Sequence, residues 1–164
     1  MAGIVRADTF RMNTIKSQDS DVTAMTIDTS GRISRSVIPA FRAVGASSYV
    51  AYSAAATLVY NNVSGNGLYN LGGHYDTSTS TFTAPMDGLY YFKANALIQS
   101  EGGAGIQLRH GTLGVLARSY DHGRDIQCGA VFNLSSGDTI YVTTESASSY
   151  YLGTYAAFQG YMIG

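Results

Sequence analysis

The sequence predicts an all-β protein, a sandwich or jelly roll of about ten short strands. Three observations predict it. The composition suits pleated sheets and tight turns: 13 Tyr, 6 Phe and 19 Gly stand against 2 Pro, with only 13% charged side chains. Runs rich in β-branched and aromatic residues recur between turn signals spaced by roughly eight to twelve residues. No amphipathic helical stretch and no coiled-coil heptad interrupts them.

In chain order, residues 1–38 read as an extended, β-like polar arm. Residues 9–16 and 22–28 are short alternating runs, separated by the polar cluster Ser17-Gln18-Asp19-Ser20-Asp21. Thr29-Ser30-Gly31-Arg32 follows as a turn. The arm carries too little apolar surface to fold alone. It is expected to order against a trimer mate or a larger assembly.

Pro39 opens the second region, residues 39–164. Ala40-Phe41-Arg42-Ala43-Val44 reads as its first strand. Thr57-Leu58-Val59-Tyr60 is a second β-branched and aromatic run, and Gly65-Asn66-Gly67 a strong turn signal. Phe82 and Ala84 alternate with threonines up to Pro85, which lacks a ladder donor and ends the strand. Asp87-Gly88 turns into residues 89–98, the longest strand candidate. Residues 102–105 read as a flexible loop. Residues 106–109 and 113–118 form a hairpin around His110-Gly111-Thr112, and residues 130–134 a further strand. Ser135-Ser136-Gly137-Asp138 turns into residues 139–144, and residues 155–163 close the sheet.

The charge pattern excludes several partners. The net charge is −1, with Lys and Arg scattered, so no footprint for nucleic acid or an anionic membrane is present. No stretch is long and apolar enough to span a bilayer. The first residues lack the basic-then-apolar pattern of a signal peptide, and no Gly-X-Y repeat occurs. The single cysteine, Cys128, cannot form an internal disulfide and reads as a small buried hydrophobe.

Catalysis finds little support. His74 with Asp76, and Asp121 with His122, are the acid–base pairs one can draw beside a serine. Serines are so abundant that such trios arise by chance, and no Gly-x-Ser-x-Gly elbow is present. Asp76 reads instead as the cap of the polar turn at residues 77–80. No His/Cys spacing fits zinc, and Glu101, Asp121 and Asp125 match no carboxylate-rich loop. No catalytic residue, metal or cofactor is assigned. Asn62-Val63-Ser64 and Asn133-Leu134-Ser135 are glycosylation sequons, read as accidental without a secretory signal.

The 13 tyrosines cannot all fit inside one small sandwich. Their surplus points to subunit interfaces, where an apolar ring with a polar tip is favoured. Cross-strand pairs on an exposed sheet and stacking platforms for carbohydrate are the other readings. Tyr120, Tyr150, Tyr151 and Tyr155 form the candidate trimer or ligand surface. Tyr150-Tyr151, in a Ser/Ala-rich loop, is the carbohydrate candidate.

Several motifs carry a family resemblance in order. They are His74-Tyr75-Asp76, Thr81-Phe82-Thr83-Ala84-Pro85 and Gly88-Leu89-Tyr90-Tyr91-Phe92, then Leu134-Ser135-Ser136-Gly137-Asp138-Thr139-Ile140-Tyr141-Val142. The last is Phe158-Gln159-Gly160-Tyr161-Met162-Ile163. Together they resemble the signature of the C1q domain, the β-sandwich head of the C1q/TNF superfamily, over residues 39–164. The resemblance implies a homotrimeric jelly roll that works by binding and is not an enzyme. It also implies a core built from Phe41, Tyr75, Phe82, Tyr90, Phe92 and Phe158. Gly88 and Gly160 would flank those aromatic residues and let backbones approach.

The arm, with Val5-Arg6-Ala7-Asp8-Thr9 and Ile27-Asp28-Thr29-Ser30-Gly31-Arg32, resembles the start of small bacteriophage virion proteins that carry C1q-like heads. This resemblance implies a viral structural protein: a trimeric capsid decoration (cement) protein or short head fibre. It would be made in the host cytoplasm and sit on the capsid surface or an appendage of the virion. Residues 1–38 would anchor it to the major capsid protein or another virion protein by adding strands to exposed edges. Ile4, Val5, Phe10, Met12, Ile15, Val22, Met25 and Ile27 are the anchoring residues. Three arms binding at once would add avidity. The alternative is a tail or neck fibre head whose loops bind a host-surface glycan or protein.

Overall fold

The computed structural model describes residues 14–16, 23–34, 38–99 and 103–163. The chain divides into two compact units, Met1–Ile38 and Pro39–Gly164. Every described regular element is a β-strand.

In the first unit, β1 (Thr14–Lys16), β2 (Thr23–Ile27) and β3 (Ile33–Ser34) form an antiparallel sheet with β2 in the middle. Asp28 shapes the turn from β2 to β3. Its Oδ1 accepts from Arg32 N at 2.9 Å and Ser30 N at 2.8 Å, and its Oδ2 from Arg32 Nε at 2.6 Å. Arg32, through its backbone and then its side chain, holds the Asp28 carboxyl below the ordinary range. Gly31 sits at φ 77°, the left-handed position that a turn of this kind needs. Ile15 is exposed, and Met25 and Ile27 are half-buried. Ile4, Val5, Phe10, Met12 and Val22 lie outside the described residues.

The second unit stacks two antiparallel sheets. Its strands begin with β4 (Ala40–Ala43), β5 (Tyr49–Tyr52), β6 (Tyr69–Leu71), β7 (Tyr75–Asp76) and β8 (Thr81–Thr83). They continue with β9 (Gly88–Ile98), β10 (Ala104–His110), β11 (Gly114–Asp121) and β12 (Asp125–Leu134). They end with β13 (Thr139–Thr144), β14 (Ser148–Tyr151) and β15 (Ala157–Met162). One sheet runs β11-β10-β13-β8-β7, and the other β5-β14-β9-β15-β4-β6, with β12 also paired to β9. Tight turn chemistry joins them. Asp138 Oδ2, for example, accepts from Ser135 N at 2.8 Å in the turn before β13.

Strand β9 shows why the sheets close face to face. Its alternate residues Tyr90, Phe92, Ala94, Ala96 and Ile98 are fully buried, while Leu89, Tyr91, Lys93, Asn95 and Leu97 face outward. Phe41 from β4 is the centre of the aromatic core. Its ring stacks on Tyr75 at 4.4 Å and meets Phe158 at 4.9 Å and Phe82 at 5.3 Å. The buried hydroxyls find acceptors, which keeps polar tips affordable inside: Tyr75 donates to Tyr60 O at 2.7 Å, Tyr60 to Asn95 O at 2.9 Å, and Tyr90 to Met86 O at 2.8 Å. Gly160 is where backbone meets ring. A Cβ there would run into the Phe92 ring and lie 3.0 Å from Phe41 Cε1.

Several elements differ from the sequence expectation. Gly88 is half-buried at the start of β9 and does not join the core, because it opens the strand opposite Leu134. Ala104 and Gly105 are buried strand residues of β10, where a flexible loop was expected. Strand β12 begins five residues earlier than residue 130, because Asp125 already pairs with Leu97 of β9. Residues 57–60 form no strand. They touch the sheet through the Thr57–Thr143 bridge and a Leu58 N to Val142 O bond of 2.9 Å, yet Leu58 and Tyr60 are fully buried.

Candidate functional site

In both drawn acid–base pairs the acid is engaged in a local turn. Asp76 Oδ1 accepts from Ser78 Oγ at 2.7 Å and Ser78 N at 2.8 Å, so it closes a local turn. Those two bonds hold its carboxyl below the ordinary range. Asp121 Oδ1 accepts from Gly123 N at 2.8 Å in the same manner. His122 lies edge-on to Tyr120, 5.7 Å between ring centres. Asp125 is exposed at the start of β12, and Glu101 lies outside the described residues. Among the described residues no cluster of three metal-ligating side chains occurs. Cys128 is buried and free, and burial pushes its thiol up.

The tyrosine surface needs one correction. Tyr150 is 0% exposed. The Ser-rich segment around it is strand β14, which pairs with β5 on one side and β9 on the other. That pairing turns Tyr150 inward opposite Ile98 and Tyr151 outward opposite Leu97. The Tyr150 hydroxyl shares its hydrogen between Ser146 O at 3.0 Å and Gly105 O at 3.1 Å, and burial pushes it up. It is a core residue and is unavailable to a ligand.

Tyr151 and Tyr155 do come together. Tyr151 stacks on Tyr155 at 6.2 Å and an angle of 28°, and meets Tyr49 of β5 at 5.8 Å. The three rings form a ladder on the outer face of the seven-stranded sheet. Tyr155 is the most open, 74% exposed. The loop that carries it is pinned to the sheet: Asn95 Nδ2 donates to Tyr155 O at 2.8 Å, and Asn95 Oδ1 accepts from Ala157 N at 2.9 Å. Tyr120 is exposed but stands apart on β11, in the other sheet.

A second surface lies on the same outer face. The strand register places Val131, Tyr91, Tyr161, Ala40 and Leu71 in one row across β12, β9, β15, β4 and β6. Val131, Tyr161 and Leu71 are 51%, 45% and 55% exposed, and the Tyr91 and Tyr161 rings lie 5.5 Å apart. Leu89 and Ile163, also exposed, extend the row by one step, joined by an Ile163 N to Leu89 O bond of 2.7 Å. Contiguous apolar exposure of this kind marks an interaction surface. The signal in the sequence was the odd-numbered side of β9, where Leu89 and Tyr91 stand at outward positions that usually carry polar residues.

Fold and surfaces together define an antiparallel jelly-roll head with an apolar stripe and an aromatic ladder on one sheet. Residues 40–163 match the C1q domain family, and the chain belongs to that family. Three solved structures show the same fold. The globular domain of zebrafish complement 1qA is 21% identical with a TM-score of 0.56, over 77% of this chain and 98% of that one. Eiger TNF from S. frugiperda is 13% identical with a TM-score of 0.60, over 78% and 94%. Murine APRIL is 15% identical with a TM-score of 0.59, over 76% and 97%.

Proposed function

We propose that the chain is a non-enzymatic, homotrimeric structural head that decorates a virion and is docked there by residues 1–38. The observation that carries the trimer is the apolar row from Val131 to Leu71. A lone protomer would leave it in water, whereas a symmetric mate would cover it. Docking by the arm is supported by its small sheet. Among the described residues the arm is a small antiparallel sheet in the order β1-β2-β3, a form to which a partner can add a strand. The capsid as docking surface rests on the arm's resemblance to phage virion proteins.

Sedimentation equilibrium of the full-length protein tests the trimer. We expect a trimer, and a Val131→Ser/Tyr161→Ser double variant that sediments as a folded monomer. A monomeric parent protein would sink the reading. Co-sedimentation with undecorated phage capsids tests docking: the full chain should pellet with the particles and a chain lacking residues 1–38 should not. The tyrosine ladder favours a second reading, a tail or neck fibre head attaching to a host-surface glycan. A trimer that ignores capsids and binds host cells would support it.

A further inference from the structure

We infer that the cleft beside the tyrosine ladder is a binding site for an acidic oligosaccharide. The inference rests on the attachment reading and gives it a ligand class and a place.

The cleft has a volume of about 250 Å³ and is lined by residues including Arg42, Ser47, Asn62, Asn66, Leu68 and Thr154. Pockets for drug-sized ligands begin at roughly 300 Å³, so this one admits a single sugar unit and leaves the rest of a chain outside. Its chemistry suits a hydroxyl-rich guest. Ser47, Thr154 and the two asparagines supply both donors and acceptors. Asn62 Oδ1 accepts from Ser64 N at 2.9 Å, which fixes the amide and leaves its NH2 group to donate elsewhere.

Charge sets the class of sugar. Arg42 is the one charged residue in the lining, and no carboxylate lines the cleft. Arg42 Nη1 donates to Gly67 O at 3.2 Å, so the guanidinium is tethered and its remaining N–H groups are free to fork onto a carboxylate. A uronic or sialic acid carries that group on its ring.

The ladder and the cleft are one surface. Both pack on Gly153, which is buried between them: an added Cβ there would lie 2.6 Å from Ser47 Oγ and 2.8 Å from Tyr151 Oη. Thr154 of the cleft lining precedes Tyr155 in the chain and both are exposed, so a guest whose acid unit sits in the cleft has the Tyr155 ring beside it. Flat apolar rings with polar tips beside amide and hydroxyl groups match the alternating faces and rims of sugar rings. The ladder end of the site lies away from the proposed trimer row, whereas Arg42 stands on β4 two residues from Ala40 of that row. Leu97, beside Tyr151, lies six residues along β9 from Tyr91, or roughly 20 Å.

The test is saturation-transfer difference NMR and titration on the full-length protein with 3′-sialyllactose, trigalacturonate and lactose. We expect at least one acidic sugar to bind at least about tenfold more tightly than lactose. Tyr155→Ala should weaken that binding about tenfold or more, and Arg42→Gln should bring it down to the lactose level. Sedimentation and melting of both variants should match the parent, which separates a lost site from a lost fold. Absence of transfer with both acidic sugars would overturn the inference, as would binding unchanged by either substitution. Parent protein that still attaches to host cells while ignoring these sugars would remove this site and leave the attachment reading standing. Failure of both would remove both.

Discussion

The two faces of the seven-stranded sheet use the same residue types for opposite ends. Inside, Phe41, Phe92 and Phe158 pack ring against ring and against Tyr75 of the facing sheet, and each buried tyrosine hydroxyl is matched to a carbonyl. Outside, Tyr91 pairs with Tyr161 and Tyr151 with Tyr155, ring to ring. Neighbouring residues on one strand thus belong to different problems. Tyr90 and Tyr150 stabilise the fold, whereas Tyr91 and Tyr151 are available to bind. The difference teaches that tyrosine content alone says nothing about a surface until pairing assigns each ring a side.

Substitutions can break this contrast in order of size. Phe92→Ala empties the centre of the inner face and should cost about 3–5 kcal/mol in urea unfolding followed by circular dichroism. Tyr91→Ala, one residue away, should leave protomer stability within about 1 kcal/mol and weaken self-association instead. Equal losses at the two positions would erase the distinction. Gly160→Ala comes next, at about 1–3 kcal/mol, because the added methyl meets the Phe92 and Phe41 rings. Tyr150→Phe should cost about 0.5–1.5 kcal/mol through its lost hydrogen bonds, against no more than about 0.5 for Tyr151→Phe.

The smallest expected effect is electrostatic. The Ser135 backbone N–H, then His110 Nε2 at 3.2 Å, hold the Asp138 carboxyl below its ordinary range. A depressed folded value means that this group contributes stability above the usual aspartate pKa of about 4, and that the contribution is lost as pH falls through the folded value. Asp138→Asn should therefore flatten the acid side of the melting-temperature profile below that pH. An unchanged acid slope would show that the turn before β13 does not depend on the charge.

Much of the head was legible because its signals are local. The alternation along residues 89–98, the stop at Pro85 and the Asp-capped turns each rest on neighbours within a few residues. What stayed hidden depends on partners far along the chain. Ser148 and Ser149 read as loop, yet they are strand because Tyr52 and Ala51 of β5 pair with them. Residues 57–60 read as strand, yet they pair with β13 at one bridge alone, and burial of Leu58 and Tyr60 accounts for their apolar character. The outer face was half visible: the tyrosine surplus pointed to exposed rings, but the row from Val131 to Leu71 exists only once five strands are in register.

Strand β15 holds the middle of its sheet, between β9 and β4, and it comes last of the described strands in chain order. During synthesis β4 must wait for residues 157–162 to leave the ribosome, with Phe41 deprived of Phe158 until then. A chain that stops short of this strand cannot close the sandwich, so closure waits for residues 157–162. A polypeptide ended before residue 157 would leave Phe41 without Phe158 and expose its aromatic interior to chaperones and proteases.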